Sequence, residues 1–106
     1  MTTSTIDRIR VRAYFHQFFE DLGRRVDFIR SLYRRHRIAL KPGEGFALAL
    51  DEAEALAKGV KTRAFSAQKL NQTVHDAHVI YALGESLLIC VDAGLDVRNH
   101  LANLTT

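Results

Sequence analysis

Between Val79 and Val91 the chain reads VIYALGESLLICV, and only Glu85 and Ser86 interrupt a stretch that is apolar on nearly every side of a helix. A helix wet on one face shows an apolar stripe, whereas one that is apolar all round has to be covered all round. The stretch belongs to a longer period. Leu70, Val74, Ala77, Tyr81, Leu88, Val91 and Leu95 recur at three- and four-residue steps, with Gly84 standing where a stripe residue is due. Ile80, Leu83, Leu87 and Cys90 form a second face. The pattern predicts a helix over about 66–93, opened at Ser66 with Phe65 and Leu70 as a hydrophobic staple. Gly94 ends or bends it, and Asp96 restarts an extension over 96–104 that carries Val97, Leu101 and Leu104.

A second long period precedes it. Val11, Phe15, Phe18, Leu22, Ile29 and Leu32 fall in one column, broken only at Arg25, and Phe19, Val26 and Tyr33 lie beside it. That width is the stripe of a core-facing helix over about 4–37. Ser4 or Thr5 suits its N-cap and Asp7 the positive end of its dipole. Glu20–Arg24 and Asp21–Arg25 are i,i+4 pairs, each worth about 0.2–0.5 kcal/mol. Gly23 is a place for a kink. Lys41-Pro42-Gly43-Glu44-Gly45 stops the helix and turns the chain, so residues 38–45 form a loop. Phe46, Leu50, Ala53 and Ala57 then share one face of a helix over about 46–58, with Gly59 as a left-handed terminator. A capping box at Asp51 and Glu54 would instead start that helix later, with residues 46–50 extended. The alanines favour the longer helix.

These elements make an all-α protein of a single domain: two long helices and one short one. Two neighbours do not readily enclose the 79–91 helix, so a partner surface is required. The simplest partner is a second copy of the chain, giving a bundle of four long helices with the short helices over one end. The remainder of a longer protein would serve as well. Tyr81, Leu83, Leu87, Leu88 and Val91 are the residues expected at that seam. The function that follows is non-catalytic, a small interaction or regulatory protein whose apolar helix–helix interface is its working part.

Composition narrows this little. The chain has 106 residues, 25% charged and 47% hydrophobic, which is ordinary for a globular protein. Cys90 is the only cysteine, so no internal disulfide forms, and its apolar setting reads as a buried thiol in a reducing compartment. The N-terminus lacks the continuous apolar core of a secretory signal, and Asp7 argues against a transit peptide. The 79–91 run falls short of the roughly 18 residues that span a bilayer. A cytoplasmic location without membrane contact is the expectation.

Charge adds a second reading. Residues 1–41 hold ten Lys and Arg against four acids, a surplus of six, while residues 42–106 hold five against eight. Arg30, Arg34, Arg35, Arg37 and Lys41, with Tyr33 and His36 among them, are candidates for phosphate contact in nucleic-acid binding, Tyr33 or His36 stacking on bases. No helix-turn-helix or zinc-finger pattern surrounds them, and the end of a helix favours cations without any ligand.

Late in the chain, Arg98-Asn99-His100 resembles part of the Arg-polar-x-x-x-His pattern of helical RNases of the HEPN type, which are small helical dimers. The resemblance covers this motif alone and implies a third reading, an RNase working through Arg98 and His100. Position 103 is Asn where the pattern has His, which leaves the general acid–base role without an occupant. His75 and His78 at i,i+3, and His16 with Glu20 at i,i+4, have the spacing of helical metal ligands but not a full ligand set. An antiparallel pairing of the long helices would set His16 opposite Leu88, away from His75. No phosphate loop, nucleophile elbow or Cys-x-x-Cys is present, and no cofactor is implied.

Overall fold

The computed structural model describes residues 5–59 and 66–105, with side chains from residue 16 onward. They form α1 (Thr5–Arg35), α2 (Gly45–Ala57), α3 (Ala67–Asp92) and α4 (Arg98–Asn103), and no strand occurs among the described residues. The proposed staple residue Phe65 and the N-cap candidate Ser4 lie outside them, and the Thr5 side chain is not described. α1 runs unbroken through Gly23. Its 31 residues extend about 46 Å at 1.5 Å per residue, which sets the 52 Å long axis of the molecule.

The core is built on α1. Leu22, Val26, Ile29, Leu32 and Tyr33 are fully buried, and Leu50, Ala53, Ile80, Leu87 and Leu101 close over them from the other three helices. α2 begins at Gly45, ahead of the Asp51–Glu54 capping alternative. Those two carboxylates pair with Arg30 of α1 instead, Asp51 at 2.5 Å. α2 therefore lies along α1 and α3 as a third member of the bundle rather than over its end. Its inward positions Ala47, Leu50, Ala53 and Leu56 alternate small and large, and Ala57 reaches Gly23 of α1. The end of the bundle is closed by α4, where Leu101 is buried and the Tyr33 hydroxyl donates to the Leu101 carbonyl at 2.8 Å.

The two long helices run parallel, not antiparallel. Phe18 packs on His78 and Tyr81, Arg25 on Tyr81 and Gly84, and Phe28 shares a groove with Gly84 and Leu88. Numbers rise together on both helices because α2 supplies the antiparallel return between them. Arg25, the gap in the apolar column, is the fastener. Its guanidinium sits 3.9 Å from the Tyr81 ring centre, donates to the Tyr81 carbonyl at 3.2 Å and approaches Glu85 at 3.9 Å. It is therefore unavailable for the expected pair with Asp21, which lies beside Arg24 at 3.7 Å and accepts from Gln17. Glu20–Arg24 does form, at 3.0 Å.

Gly84 makes this possible. A Cβ there would lie 2.9 Å from the Arg25 Cβ and 3.2 Å from its Cγ. The close approach is to an arginine stem near its root, which has little freedom to give way. At Gly23 a Cβ would meet Ala57 at an ordinary 3.9 Å. Alanine gains about 1 kcal/mol over glycine from helix propensity at either position. The expected outcome is that Gly23→Ala raises stability by about 0.5–1 kcal/mol, whereas Gly84→Ala lowers it by about 1–2 kcal/mol through overpacking. Urea unfolding followed by circular dichroism separates the two, and a stabilised Gly84→Ala would refute the close-packing account.

Candidate functional site

The outward face of α3 is the first candidate surface. Its inner positions Thr73, Ala77, Ile80, Gly84 and Leu87 are buried against α1 and α2. On the opposite side His75, Val79, Ala82, Ser86, Ile89 and Ala93 are all exposed and follow steps of four and three residues. Val79 is 52% exposed and Ile89 63%, with Leu88 at 45% alongside and Leu95 at 61% just beyond the helix. For apolar side chains of this size such exposure leaves most of the surface in water. Of the residues expected at the seam, Leu88 faces out. Leu87 is spent in the chain's own core, Tyr81 is half-buried under Arg25, and Leu83 and Val91 are partly buried against the core. Val79, Ile89 and Leu95 were hidden from sequence reasoning because a helix apolar all round carries no phase. The column through small Ala82 and Ser86 was the available signal.

α3 is also the one described helix long and apolar enough, by length and composition, to cross a membrane, with a mean hydropathy of 1.3 over its 18-residue window. The run 79–91, interrupted by Glu85 and Ser86, is shorter than that window. In the structure the helix packs against α1 and α2.

The basic end of the bundle is the second candidate surface. Arg34 and Arg35 lie in the last turn of α1. The chain then leaves through a motif in which the Ile38 amide donates to the Tyr33 carbonyl at 3.0 Å and the Arg37 amide to the Arg34 carbonyl at 3.2 Å. Such an exit requires a left-handed residue, usually glycine. Here it is Arg37, with φ 56°. α2 and α3 end on Gly59 and Gly94 in the same conformation, Gly59 as expected. Arg98 of α4 joins this end, donating to the His36 carbonyl at 2.7 Å. Two basic segments some sixty residues apart in the chain are thus brought together. Arg34, Arg35, Arg37, Lys41 and Arg98 are all exposed, and among the described residues none has an ion-pair partner. Arg30 is different, held between Asp51 and Glu54 and so removed from the set. Tyr33 is buried, with its hydroxyl bonded, and offers no face for stacking.

A cleft of about 370 Å³ lies between α3 and α4, lined by Ser86, Leu87, Cys90, Leu95, Asp96, Val97 and His100. Cys90 is half-buried there, and no hydrogen bond joins it to His100. Asp96 accepts from the Arg98 amide at 2.9 Å. Arg98 caps the end of α1 while His100 borders the cleft, so the pair resembling the RNase motif is divided between two tasks. The parallel course of α1 and α3 brings the turn of His16 toward His75 and His78, and the His78 ring lies 4.8 Å from that of Phe18. Among the described residues no three His, Cys, Asp or Glu side chains are close enough to hold a metal ion.

Comparison of the chain with protein-family models, curated protein sequences and solved structures returned no match.

Two outcomes follow from the α1 terminus. Burial pushes the Tyr33 phenol from its ordinary 10.0 up to about 12. The raised value means that the folded state holds this proton more tightly than the unfolded chain. Its contribution is therefore intact below pH 10 and lost as pH climbs toward 12, roughly tenfold in the folding equilibrium per pH unit. Unfolding curves across that range should show this component in the wild type and lack it in Tyr33→Phe. At the exit itself, Arg37→Gly should raise stability by about 0.5–1 kcal/mol by relieving the left-handed backbone. A loss of stability in chemical denaturation would contradict the assignment of strain there.

Proposed function

We propose that the protein is a small non-catalytic interaction module that acts through the outward face of α3, and that the partner is a second copy of the chain. The observation that carries this reading is the exposed column His75, Val79, Ala82, Ser86, Ile89 and Ala93 on a helix whose other side is already occupied. Isolated exposed apolar residues need no explanation, but a contiguous set marks a contact surface.

The column suits a copy of itself. In an antiparallel pair with its two-fold near Gly84, Val79 meets Ile89 of the other copy and Ala82 meets Ser86. Large thus lies opposite large and small opposite small, the self-complementarity that an isologous contact needs. His78 falls beside Asp92 of the other copy on one flank, a favourable pairing when the imidazole is charged. Glu85 approaches its own counterpart, and each already has Arg25 within 3.9 Å. Water exclusion around Val79 and Ile89 is the driving force. With one free cysteine and no cofactor required, the reading belongs to a reducing aqueous compartment such as the cytoplasm.

Light scattering on size exclusion should give about 24 kDa, twice the 12.0 kDa of the chain, with little change between low and high salt. Ile89→Arg should bring the mass to that of one chain while helicity is kept, because position 89 is exposed in the free chain and a charge there is left unpaired only in the dimer. A wild type that is monomeric at high concentration, or an Ile89→Arg variant that stays dimeric, would remove this interface.

A further inference from the structure

We infer that the basic end of the bundle binds the phosphodiester backbone of nucleic acid, without reading base sequence. The inference does not depend on dimerisation. Ten Lys and Arg side chains are described, and they divide evenly. Arg24, Arg25, Arg30, Lys58 and Lys69 each lie within ion-pair distance of a carboxylate. Arg34, Arg35, Arg37, Lys41 and Arg98 do not, and all five stand at one end, where α4 is held against the terminus of α1. Residues 34–44 and 96–105 contain these five cations and only two acids, Glu44 and Asp96. The helix dipole accounts for cations in the last turn, Arg34 and Arg35, but its effect fades within that turn. Arg37, Lys41 and Arg98 lie outside it.

A second observation points the same way. The left-handed position at the end of α1 is filled by Arg37, although the other two such helix ends use glycine. A side chain in that conformation costs about 1–2 kcal/mol. Strain of this kind is held where the side chain has work to do. Folding gives Arg37 little in return, since its exposed guanidinium makes no ion pair or hydrogen bond among the described residues.

The chemistry of the patch selects the ligand. Four of its five cations are arginines, whose planar forks match pairs of phosphate oxygens. Tyr33 is buried and cannot stack on a base, and His36 is half-buried, so the exposed cations carry the contact and meet the backbone. Ile38, Leu40 and Phe46, the large apolar residues of this segment, pack against the core and are not free to enter a bilayer. That argues for nucleic acid over an anionic membrane.

The test is fluorescence anisotropy of a labelled duplex of about 20 base pairs, titrated at several salt concentrations. Binding that engages all five cations should weaken with a log–log slope of roughly −4 to −5 for each copy bound. Arg34→Gln, Arg35→Gln and Arg37→Gln together should weaken binding at least about tenfold at low salt and lower the slope by roughly three. Arg37→Gly is the variant least open to misfolding, being expected to fold more stably, and should still lower the slope by about one. Arg24→Gln removes the same formal charge from a paired position and should leave binding unchanged. No binding at low salt would overturn the proposal, as would insensitivity to the triple change or an equal loss in Arg24→Gln. Capture by phosphatidylserine vesicles in place of the duplex would also overturn it, by assigning the patch to a membrane surface.

Discussion

The depth at which α1 and α3 meet depends on one missing methyl group. Because Gly84 has no Cβ, the stem of Arg25 lies directly on α3, and its guanidinium reaches both the face and the carbonyl of Tyr81. Any larger residue at position 84 would move the helices apart, and Phe18, Leu22, Ile80 and Leu87 would lose their fit. A charged residue thus takes a place in an apolar column and still does the work of an apolar one. Its methylenes fill the contact and the side chain as a whole stays 23% exposed, as long cationic side chains do at the margin of a core. The parallel course of the long helices then obliges α2 to run between them as the return, where Arg30 fastens it through Asp51 and Glu54.

The elements themselves were legible in the sequence. Periodicity placed helices near 4–37, 46–58 and 66–93 with an extension over 96–104, and the observed ones differ by only a residue or two. Direction and neighbour were not legible. Periodicity says that Leu22, Ile29 and Leu32 share a face but not which helix they meet, so it leaves the relative direction of the long helices open. Leu87 and Leu88 are adjacent and equally apolar, yet one is 1% exposed and the other 45%. Only the packing of α3 among its neighbours decides between them. The spacing rule that paired Asp21 with Arg25 likewise considered a single helix, and the contact across to Tyr81 prevailed. At the basic end, the sequence marked 30–41 and 98–100 separately. Their meeting depends on Tyr33 and Leu101, sixty-eight residues apart.

Charges sort by position rather than by sequence. Arg25 and Arg30 lie where helices converge and are each about three-quarters shielded, so both have gained carboxylate or carbonyl partners. A cation at such a junction would otherwise lose hydration without compensation. The five cations at the far end remain in water and need no partner for folding. Exposed ion pairs contribute only about 0–1 kcal/mol each, so folding alone does not drive charges of one sign to one place. Carboxylates at that end would have been nearly neutral for stability and would have reduced the mutual repulsion of the arginines.

Two features therefore run against what folding by itself favours: a line of apolar residues left in water on α3, and a strained arginine amid like charges beyond α1. They occupy separate surfaces, yet one geometry relates them. In the proposed antiparallel pairing about Gly84, each basic end would lie roughly eleven residues of helix rise from the two-fold axis. At 1.5 Å per residue the two ends of a dimer stand roughly 33 Å apart. One turn of B-form DNA is about 34 Å, the interval at which dimeric proteins commonly meet successive faces of a duplex. A single copy would offer five cations to one stretch of backbone, a weak and sequence-blind contact. Two copies held at that interval would engage the same side of a duplex twice, and the second contact would become intramolecular. The apolar column would then serve the basic end by fixing the distance between two patches that are each too small to hold a polyanion firmly alone.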